Sequence, residues 1–61
     1  MYRMTVDGGT YDCEGTIQSS ISSLGRNVDS YLYLVEGVPV PMDIVPEDEA
    51  IVIAIRVASG G

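Results

Sequence analysis

The chain contains no histidine, no lysine, no tryptophan and no phenylalanine, and it has a single cysteine. Each absence excludes something. Without histidine the chain lacks the commonest general base and metal ligand of neutral solution. One cysteine, Cys13, excludes an internal disulfide and any metal site built from cysteines alone. No apolar run reaches the roughly 20 residues of a membrane-spanning helix. Met1-Tyr2-Arg3 does not open the apolar core of a signal peptide, so a cytoplasmic location is expected. A length of 61 residues allows one domain with one modest core and leaves little room for a cleft. That size, with no nucleophile clustered beside a base, points to a carrier, adaptor or binding module rather than an enzyme. No bound cofactor and no metal are expected.

Nine acidic residues stand against three arginines, for a formal net charge of −6. Such a chain is repelled by nucleic acid and by anionic membranes, and is steered toward basic protein surfaces. The acids are scattered, which also suits a plainly solvated surface.

Along the chain, Met1 to Val6 reads as a strand with Tyr2, Met4 and Val6 on one face. Asp7-Gly8-Gly9-Thr10 signals a tight turn, and Tyr11 to Glu14 a weak second strand whose Cys13 points inward as a small hydrophobe. Thr16 is a plausible N-cap for a helix of about nine residues, with Ile17, Ile21 and Leu24 on one stripe. Gln18, Ser19, Ser20, Ser22 and Ser23 are assigned to its opposite face, and Gly25 to its C-terminal stop. A helix this short does not survive alone in water, so its stripe must lie on a sheet.

Arg26 to Ser30 reads as a polar connection, and Tyr31 to Val35 as a strong strand closed by a Glu36-Gly37 turn. Val38-Pro39-Val40-Pro41 reads as an edge strand whose prolines delete donors along one side, which guards against sheet-to-sheet pairing and favours a monomer. Pro46 to Glu49 reads as a further turn, proline being suited to a turn's second position. Ala50 to Val57 is the strongest strand signal in the chain. Alternation leaves its orientation open: either Ile51, Ile53, Ile55 and Val57 face the helix, as side-chain volume favours, or Val52 and Ala54 do.

One short helix on a small mixed sheet is an α+β arrangement. If two hairpins flank the helix, the first and last strands lie parallel in the middle of a sheet of four to five strands, with the helix packed on one face. This is the β-grasp arrangement. Residues 1–57 are then the domain, and 58–61 a flexible tail ending in Gly60-Gly61. Glycines there suit a tail that must thread a passage too narrow for a Cβ atom.

The chain resembles the β-grasp sulfur carriers and ubiquitin-like small archaeal modifier proteins. The resemblance rests on Glu36-Gly37-Val38-Pro39-Val40-Pro41, on Asp48-Glu49-Ala50-Ile51-Val52, and on Ile55-Arg56-Val57-Ala58-Ser59-Gly60-Gly61. It implies that the Gly61 carboxylate is adenylated by an ATP-dependent enzyme of the ubiquitin-activating type, ATP being used by that partner. The product then becomes a thiocarboxylate that donates sulfur to biosynthetic enzymes, or is joined to lysines of target proteins. The family pattern also places Val52, Ala54, Tyr33 and Val35 under the helix. Leu34, Ile53 and Ile55 are left on the open face as a docking patch. Where some members carry a lysine before Gly-Gly, this chain has Ser59, so it cannot form lysine-linked chains of itself. A non-reactive β-grasp interaction module is the alternative reading.

Overall fold

The computed structural model describes residues 1–57; the expectations for Ala58 to Gly61, including Gly60 and Gly61 themselves, lie outside the described residues. Five strands and one α-helix follow in the order β1 (Tyr2–Val6), β2 (Gly9–Cys13), α1 (Ile17–Ser23), β3 (Tyr31–Val35), β4 (Val38–Val40) and β5 (Ile51–Arg56). A 3₁₀ turn, Val28–Ser30, leads into β3 and occupies most of the polar connection Arg26 to Ser30. The strands form one sheet in the order β2-β1-β5-β3-β4. β1 and β5 are parallel at its centre, and every other pair is antiparallel. The architecture is α+β, a mixed sheet gripping one helix in a β-grasp-like arrangement.

Local chemistry sets the two hairpins. Asp7 and Gly8 have φ of 47° and 82°, and Glu36 and Gly37 have 53° and 78°. Positive φ at both central residues is what a two-residue type I′ turn requires, and its twist matches that of the flanking strands. The first turn is therefore Asp7-Gly8 alone, and β2 begins at Gly9, earlier than the expected Tyr11.

Helix α1 is a seven-residue piece closed at both ends. Thr16 Oγ1 accepts from Ser19 N at 3.2 Å, as expected of an N-cap. The free amides of Ile17 and Gln18 donate to the carbonyls of Ile44 (3.1 Å) and Met42 (2.8 Å). The long β4–β5 connection thus completes the helix N-terminus. At the other end Gly25 takes φ +76°, Arg26 N donates to Ile21 O at 3.2 Å and Gly25 N to Ser22 O at 2.9 Å. That pair of bonds is a Schellman motif.

Tyr2, Met4, Val6, Cys13, Ile17, Ile21, Tyr31, Tyr33, Val52 and Ala54 form the core between helix and sheet. Cys13 is buried, as alternation implied. Ser20 corrects the expected polar face: it is buried on the helix's inner side, with Oγ 2.6 Å from Tyr2 Oη and 3.3 Å from Glu14 O. It sits one turn from Ile17 and Leu24, where the sheet offers a tyrosine hydroxyl instead of a methyl group. A second correction concerns the turn before β5. Ala50 N donates to Glu47 O at 3.0 Å, so the turn is Glu47 to Ala50, and Pro46 precedes it.

The orientation of β5 is unambiguous. Val52 is fully buried and Ala54 is 8% exposed, whereas Ile51, Ile53 and Ile55 are 54%, 39% and 43% exposed. The arrangement favoured by side-chain volume is overturned. Directly paired residues share a sheet face: Met4 pairs with Val52, and Ala54 lies between Val6 and Tyr33. These large neighbours fill the space under the helix, and a small residue suffices between them.

A candidate docking face on the open side of the sheet

The face of the sheet away from α1 divides in two. On β1 and β2 it is polar: Arg3 Nε lies 3.5 Å from Asp12 Oδ1, and the hydroxyls of Thr5 and Thr10 are 3.4 Å apart. On β5 and β3 it is apolar. Register sets Ile53 beside Leu34 and Ile55 beside Leu32, with Pro39 of β4 opposite Leu34. Ile51 extends the strip toward the start of β5.

Leu34, Ile53 and Ile55 are thus brought together on one surface. Leu34 is half-buried, and the two isoleucines are exposed. Leu32, equally exposed, belongs to the same patch although the sequence did not single it out. Its alternation with Tyr31 and Tyr33, both buried, was the available signal. An aliphatic strip flanked by polar side chains on one sheet face is suited to burying a partner's apolar surface.

At the far end of β5 the core face is closed by charge. Asp7 accepts from the Tyr31 hydroxyl at 2.6 Å and from the Arg26 guanidinium, and its other oxygen lies 3.7 Å from Arg56 Nε. Arg56 also donates to the Tyr31 hydroxyl at 3.4 Å, its guanidinium 5.7 Å from the ring centre. Hydrogen bonding to Tyr31, helped by Asp7, raises both guanidinium pKa values further, so both stay charged. Three segments far apart in sequence are joined here, and Arg56, the last residue of β5, is held among them. Nothing in the sequence signals this cluster, because Asp7 reads as a turn residue and Arg26 as part of a connection.

Two buried tyrosines have raised pKa values. For Tyr2 burial is the main cause, partly offset by its hydrogen bond to Ser20. For Tyr33 burial again leads, and its hydroxyl donates to Val28 O at 2.7 Å. Among the described residues no group of acidic, histidine or cysteine side chains is placed to hold a metal ion, and no helix is long and apolar enough to cross a membrane. In comparison with known proteins, no family model matches the chain, and no curated protein is significantly similar to it.

Proposed function

We propose that this chain is a ubiquitin-like carrier. Its open face docks on an adenylating enzyme, and the carboxylate of Gly61 is the group acted on. A carboxylate is a poor electrophile. Attack of its oxygen on the α-phosphorus of ATP expels pyrophosphate and leaves an acyl adenylate with AMP as leaving group. A sulfur donor or a lysine amine then attacks the carbonyl carbon, and AMP departs. The chain itself supplies no catalytic group; the partner provides the site and the positioning.

The observation that carries this reading is the aliphatic strip of Leu32, Leu34, Ile53 and Ile55 on and beside the strand that leads to Gly60-Gly61. Gly61 is the sixth residue after Ile55. Fully extended, six steps of chain reach at most about 22 Å, so one partner can hold the patch and act on the carboxylate together. The resemblance of the Glu36–Pro41 and Ile55–Gly61 stretches to the sulfur carriers and small modifiers supports the same reading.

Intact mass of the protein purified from its native cells tests it. A thiocarboxylate, or Gly61 in amide linkage to lysines of other proteins, is the expected finding. Only the free acid, together with undiminished partner binding after deletion of Gly60 and Gly61, identifies a non-reactive interaction module instead. The absence of lysine adds a constraint: conjugates carry separate single copies and never a lysine-linked ladder, the Met1 amine being the one site within this sequence that can accept another copy.

A further inference from the structure

A groove of about 690 Å³ lies at the start of β5, between the tip of the β3–β4 hairpin and the connection that precedes β5. We propose that it docks a basic segment of a partner protein that carries one aliphatic anchor side chain. The proposal stands whether or not Gly61 is ever activated.

The groove's volume falls within the range of about 300–1,000 Å³ typical of binding pockets. Val35, Val40, Ile44, Val45 and Ile51 give it apolar walls. Val45 and Ile51 are among the most exposed large hydrophobic residues of the described chain. Its rim is made of Glu36, Glu47, Asp48 and Glu49, and no arginine lines it. The three arginines are engaged elsewhere: Arg26 and Arg56 at Asp7, and Arg3 at Asp12. The Met1 amino group, 2.6 Å from Asp48 Oδ1, offsets the rim in part, and Arg3, paired with Ile51, lines a smaller adjoining pocket with Glu49.

An apolar cleft edged by charge of one sign focuses its field on whatever enters. Lysine or arginine on either side of an aliphatic residue meets both requirements at once. A second copy of this chain, with its net charge of −6, does not supply the charge. The backbone agrees with a retained charge. Glu36 and Glu49 hold φ of 53° and 68°, where glycine or asparagine is the ordinary choice. Neither turn needs a carboxylate there.

Position gives the groove its use. It sits at the Ile51 end of β5, and Arg56 is at the other end of the same six-residue strand. At about 3.3 Å per residue the two ends are separated by roughly 17 Å. A segment bound in the groove leaves the exit of β5 free, so the chain can hold one partner segment there while another protein works on the far end.

Titrating the isotopically labelled full chain with a capped pentapeptide, leucine flanked by two lysines on each side, tests the proposal by NMR. Amide shifts are expected to centre on Val35–Gly37 and on residues 44–51. Glu47→Gln with Glu49→Gln, and separately Val45→Ser, should each weaken binding about tenfold. Replacing the peptide's leucine with glycine should do the same. The two variants probe charge and apolar contact independently, and both sites are exposed enough to leave the fold intact. Equal affinity for the leucine and glycine peptides would reduce the effect to charge attraction and overturn the proposal. So would shifts centred on Leu32 and Ile55, or concentration-dependent shifts at the groove without peptide, which would identify a second copy as the occupant. No shifts at millimolar peptide would also overturn it.

Discussion

The two faces of β5 make opposite use of the same six residues. Toward the helix, Val52 and Ala54 are sealed between Met4, Val6 and Tyr33. Toward the open side, the larger Ile51, Ile53 and Ile55 remain substantially exposed. Burial thus follows the position of the helix, not the size of the side chain. In a domain this small, aliphatic volume left outside the core contributes little to folding and is available for a partner. Breaking each face should therefore have different consequences.

Val52→Asp should have the largest effect on stability. An unpaired carboxylate at a fully buried position costs several kcal/mol. A chain of this length has only about 3–9 kcal/mol in total. Loss of the cooperative thermal transition is the expected outcome, and a native-like melt would show that β5 is turned the other way.

Ile21→Ala comes next. It removes a fully buried side chain from the helix stripe and should destabilise the domain by about 3 kcal/mol in denaturant melts. Tyr2→Phe should cost about 1 kcal/mol, because Ser20 keeps Glu14 O as a partner but loses the tyrosine hydroxyl. An unchanged midpoint for Tyr2→Phe would mean that Ser20 is solvated, as its place in the sequence first implies.

The same buried tyrosines set an alkaline limit. Tyr2 and Tyr33 have folded-state pKa values raised by burial above the ordinary tyrosine value, so between the unfolded and folded values the folded state binds more protons. Their contribution is fully present below about pH 10 and is lost as pH rises through the folded values. Stability measured by urea melts should fall above about pH 10, and Tyr33→Phe should lessen the slope.

Much of this fold was legible in the chain. The Asp7-Gly8 and Glu36-Gly37 dipeptides, bracketed by alternating strands, announce two hairpins, and Thr16 and Gly25 bracket the helix. What was not legible depended on contacts distant in sequence. Ser20 is flanked by other polar residues and reads as solvated until the Tyr2 hydroxyl is seen above it. Volume pointed to the isoleucines of β5 as core, the family pattern pointed the other way, and the pairing with β1 and β3 explains why volume fails. Pro46 drew the turn one residue too early. The Asp7 cluster and the acidic groove each join segments that nothing local connects. The candidate patch was half legible: Leu34, Ile53 and Ile55 are brought together, and Leu32 joins them.

Ile55→Asp should have a small effect on folding, no more than about 1 kcal/mol, because the side chain is already substantially exposed. Paired with function, that variant tests the central claim most directly. ATP–pyrophosphate exchange by the adenylating enzyme from the same cells is measured with the native chain and with Ile55→Asp, alongside thermal melts of both. A melt close to native with exchange reduced at least tenfold is the predicted result. Full exchange by a folded Ile55→Asp chain would contradict the assignment of the open face to docking, and unfolding by it would contradict the division of β5 into a structural and a docking side.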